Sequence, residues 1–371
     1  MNKVKLGELL KIKHGYAFKS ENYVDKSKYA LVTLANISAT NNFQYNKEKT
    51  TFYGADFPKD FILSEDDLIM PLTEQVVGLF GNTAFVSKIS DVIFVLNQRV
   101  GKVVPIEGKA DKYYLHYLLA TDLVKDQLEY RASGTRQRNI SPTDIYDVEV
   151  FVHDIETQRK IGGFLYNIER KINVNNAIND NLEQQMHLIF ENMMAKAATH
   201  KLSGEYTIAQ NLATVVTGKE DANFSVPNGK YKFFTCSNTP LLCDEYVFNS
   251  SSILIAGNGD FNVKHYSGKF NAYQRTYVLT PDKKYFGLLY LASLYRINSF
   301  KSRSSGSIVK FITKSDVENI PVFIPNDMFY LQELNKLIYL QEQNKLENEL
   351  LVNLRDWLLT MLMNGQATIS D

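Results

Sequence analysis

The second half of this chain is a shortened copy of the first, and a chain built from two copies of one unit folds into two like bodies rather than one large core. Arg131-Ala132-Ser133-Gly134-Thr135 matches Arg303-Ser304-Ser305-Gly306-Ser307 at an offset of 172, and the match runs without a gap through Ile140/Ile312, Asp144/Asp316, Val150/Val322 and Phe151/Phe323. Upstream, Gln98-Arg99 matches Gln274-Arg275, and each pair is followed six residues later by a proline, Pro105 or Pro281. Leu68-Ile69-Met70 matches Ile253-Leu254-Ile255, and Gly15 matches Gly218. The offset falls in order from 203 to 185, 176 and 172. The second copy has therefore lost residues between matched segments, where loops tolerate loss.

Each copy ends in a long helical segment. Ile161, Leu165, Ile168, Ile172, Asn175, Asn179, Leu182, Met186, Ile189 and Met193 follow 4,3 spacing, and eight of these ten are apolar. The second ladder, Leu337, Leu340, Asn344, Glu347, Leu351, Leu354, Leu358 and Met361, lies at the same offset of 172, with six of eight apolar. A sustained 3.5-residue repeat requires a partner helix with the same seam, and each ladder finds that partner most simply in the other. Two amphipathic helices, each packed on its own unit, would give the same pattern. The first ladder covers 33 residues, roughly 50 Å of helix at 1.5 Å per residue. Both seams turn polar at the centre, with Asn175 and Asn179 in one and Asn344 and Glu347 in the other; polar seam positions sacrifice stability and fix register. Asn364-Gly365 is a helix stop signal.

The layout is globular unit, long helix, globular unit, long helix, expected as 1–152, 153–199, 200–325 and 326–371. The units read as mixed α/β, an α+β class with small twisted sheets. Val92–Leu96, Val148–Val152, Ile253–Ala256 and Tyr277–Leu279 have strand character. Tyr113–Tyr130 and Tyr285–Phe300 read as amphipathic helices, each just before its Arg/Ser/Gly loop. Antiparallel pairing of the long helices would relate the two units by a pseudo-twofold axis, as in a symmetric dimer fused into one chain.

No catalytic constellation emerges from the sequence. Asn-Pro does not occur, which excludes an Asn-Pro-Pro-Tyr-like motif for methylating an exocyclic amine. Gly257-Asn258-Gly259 lacks the third glycine and following helix of a dinucleotide loop, there is no Walker A sequence, and the six histidines show no paired spacing. Glu107-Gly108-Lys109 lacks the Pro-Asp partner of a nuclease site and reads as a surface turn. His265, beside Lys264 in a polar stretch, is the histidine expected at a ligand surface. Cys236 and Cys243 are the only cysteines, too few for a four-ligand zinc site, and they read as ordinary small residues. No cofactor is expected in this chain. Met1–Glu8 has no apolar stretch of the signal-peptide kind and no apolar run is long enough to span a bilayer, so a cytoplasmic, reduced setting is expected.

With 41 basic and 41 acidic residues the formal charge is zero, which disfavours coating of nucleic acid through bulk charge and leaves room for a local basic face. Seven basic residues and no acidic one lie between Lys283 and Ser315, among them Lys301, Arg303 and Lys310, and Arg131, Arg136 and Arg138 likewise stand in a stretch without acids. The loops Arg131–Arg138 and Arg303–Lys310 combine cations with Ser133, Gly134, Thr135, Ser305 and Gly306, the residue types that bring backbone N–H groups and hydroxyls to phosphate oxygens. A solvated turn before a strand would use the same residues, but its recurrence at matching places favours phosphate contact. Gln98, Arg99, Gln274 and Arg275 are types that read adenine and guanine edges, although a structural role within the repeat competes evenly. Lys264 joins the candidates for DNA contact. Base-reading residues are expected where the copies diverge, around Ser38–Asp67, Cys236–Asn249 and Asp260–Asn271.

Over its whole length the chain resembles the specificity subunit of type I restriction–modification systems. The resemblance is carried by Val4–Leu9 with Lys13–Phe18, Leu96–Gly101, Ser133-Gly134 through Ile140-Ser141, Glu156–Leu165, Leu354–Leu359 and Met361–Gly365. The second unit has Ala272-Tyr273 where the first has Leu96-Asn97 before its Gln-Arg pair. The resemblance implies a non-catalytic reader of double-stranded DNA. Each target-recognition domain would bind one half of a bipartite, asymmetric site. The coiled coil would set the spacer and dock two methyltransferase subunits, and restriction subunits that translocate DNA would join them. AdoMet, ATP and Mg²⁺ would then belong to those partners. A standalone two-headed DNA-binding protein, or a coiled-coil scaffold, is the competing class.

Overall fold

In the computed structural model of the chain, residues 1–38, 40–75, 77–134, 137–259, 261–303 and 311–369 are described, the side chains of 301–303 excepted. Among them run α1 (Lys112–Leu119), α2 (Asp122–Arg131), α3 (Pro142–Tyr146), α4 (Ile155–Ala198), α5 (Phe286–Arg303), α6 (Lys314–Glu318) and α7 (Met328–Met363). The single helix expected over Tyr113–Tyr130 is two. Thr121 takes extended backbone geometry as the residue before α2, and its hydroxyl donates back to the Leu118 carbonyl at 2.7 Å.

The chain divides into two compact units, Met1–Lys171 with Leu351–Asp371, and Ile172–Leu350. Each combines one globular head with a segment of both long helices. In the first, Leu10–His14, Val100–Pro105, Leu68–Pro71 and Ala84–Phe85 form an antiparallel four-stranded sheet in that order. In the second, Ala213–Thr217, Thr276–Pro281 and Phe248–Ala256 repeat the first three strands of that order. The copies differ beyond this point. The parallel pair Tyr29–Val32 with Ile93–Leu96 belongs to a separate sheet in the first unit. Its counterpart, Tyr231–Phe234 with Val263–Ala272, is part of one six-stranded sheet. The reason is strand length: Phe248–Ala256 and Val263–Ala272 have nine and ten residues and pair throughout, so the sheet runs on without interruption.

The repeat is visible bond by bond in the backbone. The Leu6 N–H donates to Val148 and the Ala209 N–H to Ile320; Gly15 donates to Val100 and Gly218 to Thr276; Leu72 donates to Arg99 and Gly257 to Arg275; Ile140 donates to Leu72 and Ile312 to Gly257. Gly15 and Gly218 hold the closest approaches in this frame. A Cβ at Gly15 would stand 2.0 Å from the Asn97 carbonyl oxygen, and one at Gly218 would stand 2.1 Å from that of Ala272. Capping boxes start α3 (Ser141 with Asp144) and α6 (Thr313 with Asp316) at the same repeat positions.

The heads lie against the helices through apolar layers. Ile161 and Leu165 of α4 and Leu362 and Met363 of α7 complete the core of the first unit. Leu182, Met186 and Met193 of α4 and Leu334, Leu337 and Ile338 of α7 complete that of the second. Each buried large aliphatic side chain contributes about 1.5–3 kcal/mol. Between these layers, inside the second unit, the seam is polar. Asn175 Nδ2 donates to Glu347 Oε2 at 2.7 Å and to Asn348 Oδ1 at 2.9 Å, and Asn344 Nδ2 donates to Asn179 Oδ1 at 3.0 Å. Partner numbers fall as α4 numbers rise, so the helices run antiparallel there. A net hydrogen bond contributes only about 1 kcal/mol, but a buried amide left without its partner costs about 1–3 kcal/mol; a shift of register would strand several.

The first ladder faces inward: Ile161, Leu165, Ile168, Ile172, Asn175, Asn179, Leu182 and Met186 are buried and Ile189 is partly buried against the core. The second ladder needs correction. Leu337 is buried, and Asn344, Leu351 and Leu358 are half-buried. Leu340 and Leu354, however, are 41% and 42% exposed, and Met361 is only half-buried. Glu347 is exposed, though it reaches the seam through Asn175. The next residues along hold the seam at alternate positions: Gln341 Nε2 donates to the Asn179 carbonyl at 3.4 Å and Asn348 Nδ2 to Asn176 Oδ1 at 2.8 Å. Apolarity pointed to the leucines, whereas the helix phase places amides against α4.

Candidate nucleic-acid interface

In each head, three loops meet around the exposed Gln-Arg turn. In the first, the loop after Tyr29–Val32 starts beside Asn97, because Val32 pairs with Leu96. The loop after Leu68–Pro71 is fixed by the Leu72 N–H on the Arg99 carbonyl, and the basic loop returns through the Ile140 N–H on the Leu72 carbonyl. The second head uses the equivalent bonds: Phe234 pairs with Ala272, Gly257 donates to Arg275 and Ile312 to Gly257. Gln98, Arg99, Gln274 and Arg275 are exposed, and their side chains make no hydrogen bond or ion pair with another described residue. They are thus held by their backbone and free at their tips.

The basic loop of the first head is closed at its base, with Ser133 and Asn139 exchanging both backbone bonds at 3.0 and 2.8 Å. Gly134 sits at φ +108°, and a Cβ there would lie 2.2 Å from the Gln137 carbonyl oxygen. Ser133 and Gly134 are exposed, and Arg131 is half-buried, its guanidinium donating to the Asp147 carbonyl at 3.1 Å. The expectation that Arg138 faces no acid is corrected. Its guanidinium, 21% exposed, pairs with Glu74 at 2.8 Å and with Glu129. Glu74 is 1% exposed and also accepts the Leu79 N–H at 2.9 Å. Glu74 and Glu129 stand 64 and 9 residues from Arg138, which is why a local scan for acids missed Glu74. Thr135, Arg136, Ser305, Gly306 and Lys310 lie outside the described residues; Lys301 and Arg303 are in α5, without described side chains.

Two further positions differ from expectation. His265 is not at a ligand surface: its side chain is 2% exposed, with Nδ1 2.9 Å from Glu342 Oε1 and Nε2 2.9 Å from Gln341 Oε1. Burial would raise the Glu342 carboxyl's pKa, but hydrogen bonds from His265 and Ser267 outweigh it and hold the carboxyl below the usual range. Lys264 is half-buried, and its ammonium donates to the Thr235 and Ser237 carbonyls, with burial lowering its pKa. Sequence reading also missed two asparagines that tie neighbouring loops together. Asn82 Nδ2 donates to the Ser38 carbonyl at 3.4 Å in the first head, and Asn262 Nδ2 donates to the Cys236 carbonyl at 2.7 Å in the second. No motif marks either. Among the described residues no group of three or more His, Cys, Asp or Glu is arranged to hold a metal, and no helix is long and apolar enough to cross a membrane.

Known proteins place this architecture. A family model described as the type I restriction modification DNA specificity domain matches residues 1–184 and 212–352, one stretch over each copy. The chain belongs to that family. The EcoDI type I restriction enzyme specificity subunit of Escherichia coli is 36% identical over 164 residues, 42% of this chain and 37% of that protein. The MjaVIII specificity subunit of Methanocaldococcus jannaschii is 23% identical over 184 residues, 49% of this chain and 42% of that protein. The chain thus aligns with less than half the length of either relative. The crystal structure of a type I restriction–modification S subunit from M. genitalium shares the fold, with a TM-score of 0.66, 18% identity and coverage of 97% of this chain and 95% of that one.

Proposed function

We propose that the chain is the DNA sequence-recognition subunit of a type I restriction–modification complex and carries no active site of its own. Residues 1–152 and 200–325 form two target-recognition domains, each reading one half of a bipartite, asymmetric site, and the helical stretches 153–199 and 326–371 set the unspecified spacer between halves. The observation that carries this reading is the duplicated frame: the same backbone bonds twice anchor three loops around an exposed Gln-Arg pair whose side chains have no hydrogen-bond or ion-pair partner among the described residues. Residue types that read base edges stand there, and in the first head the exposed Ser133 and Gly134 are suited to phosphate oxygens.

The helices support docking of two methyltransferase subunits. On α7, Tyr339, Leu346 and Leu350 are 60%, 53% and 63% exposed, and Leu354 and Trp357 continue at 42% and 59%. Five large apolar side chains exposed along one helix support an interaction surface there, whereas singly exposed ones would not. AdoMet, ATP and Mg²⁺ belong to the partners in this scheme, with base flipping performed by the methyltransferase, and the complex works in the cytoplasm. The test is to co-express the chain with its methyltransferase and map methylated adenines by single-molecule sequencing, before and after deleting one heptad from each long helix. A two-part motif whose gap alone changes is the expected result. A continuous motif overturns the two-headed reading, and an unchanged gap overturns the spacer role.

A further inference from the structure

Three successive carbonyls of the second head's first loop point at two side chains of one strand end. Lys264 Nζ donates to Thr235 and Ser237, and Asn262 Nδ2 donates to Cys236 between them at 2.7 Å. Cys236 Sγ in turn lies 3.5 Å from the Arg275 carbonyl oxygen, placing the loop against the Gln-Arg turn. The loop's own hydroxyls brace it locally, with the Ser237 N–H donating to Thr235 Oγ1 at 3.2 Å and the Thr239 N–H to Ser237 Oγ at 3.3 Å. An ammonium that donates inward to two backbone carbonyls is a poor candidate for a phosphate contact, because leaving them would strand polar groups in a half-buried site.

We propose that Lys264 and Asn262 are positioning residues for sequence discrimination by the second head: they lock the Thr235–Ser237 loop against the Gln274-Arg275 turn, and they act on DNA only through that loop. This rests on the reading of the chain as a DNA-recognition subunit. It reassigns Lys264, whose charge alone suggested a backbone contact. The distinction is measurable, because a phosphate contact contributes to binding of every DNA sequence and to its salt dependence, whereas a positioning residue contributes to the right sequence only.

The experiment compares the full chain, in complex with its methyltransferase, with its Lys264→Met and Asn262→Ala variants. Binding is measured across a salt series to three kinds of duplex: the complete site found by methylation mapping, the same site altered in one half or the other, and an unrelated sequence. Both variants are expected to lose about tenfold or more on the complete site and nothing on unrelated DNA. The salt slope stays at the wild-type value, and discrimination disappears at one half only. Asn262→Ala changes no charge and carries the same contrast if Lys264→Met melts early. Equal weakening on all three kinds of duplex by Lys264→Met, with a slope lower by about 0.9, makes Lys264 a phosphate contact and overturns the proposal. Wild-type discrimination in both variants overturns it too. A wild-type complex that does not distinguish its site from unrelated DNA removes the DNA-recognition reading, and this inference with it.

Discussion

Replacing Arg138 by Met tests whether the first head's basic loop is held by buried charge. The guanidinium is 21% exposed, and its partners Glu74 and Glu129 have side chains 1% and 23% exposed. Removing one partner of a buried pair costs about 3–5 kcal/mol, because the other charge is left behind. Glu129, the more exposed partner, stays partly hydrated, which places the cost at the low end of that range. The Leu79 N–H, 2.9 Å from Glu74, stays in place and lowers the figure further. The expected loss at pH 7 is therefore about 3 kcal/mol. It should be largely recovered by adding Glu74→Gln, which removes the stranded charge. Urea unfolding gives the free energy, and hydrogen exchange at the Leu79 and Asn139 amides shows where it is lost. A loss under 1 kcal/mol at pH 7, or one that Glu74→Gln does not recover, would refute the buried-clamp account.

Two other outcomes follow from the helices. The Glu342 carboxyl is held below the usual range by His265 and Ser267 against the effect of burial, so its stabilisation is present above its unfolded pKa and lost as pH falls through the lower folded value. Glu342→Gln should remove that acid-side loss and leave a flatter stability curve below about pH 4.5, checked by urea midpoints between pH 3 and pH 7; a curve parallel to wild type argues against the contact. Trp357 is the only tryptophan and 59% exposed. Adding the proposed methyltransferase partner should shift its emission to shorter wavelength, and Trp357→Ala should weaken that complex by about 2 kcal/mol, roughly 30-fold; unchanged emission and affinity place docking elsewhere.

The sequence alone determined the duplication, because insertions and losses fall in loops while the residues that close the backbone frame keep their order. Gly15 and Gly218 were legible as a pair for that reason: only glycine fits within about 2 Å of a carbonyl, and the same constraint acts in both copies. The α4 ladder was legible because its apolar side chains carry the burial. The α7 ladder was read one residue out at alternate positions because its seam there includes Gln341 and Asn348, and hydrophobicity carries no information about a polar seam. Arg138, His265 and Lys264 looked like surface chemistry for a related reason. A charge's role depends on which groups the fold brings to it, and Glu74, Glu342 and the Thr235 carbonyl come from 64, 77 and 29 residues away. Local pattern sets period, turns and repeat, while tertiary packing alone decides which cations are already spent inside the fold and which tips are left free to meet a ligand.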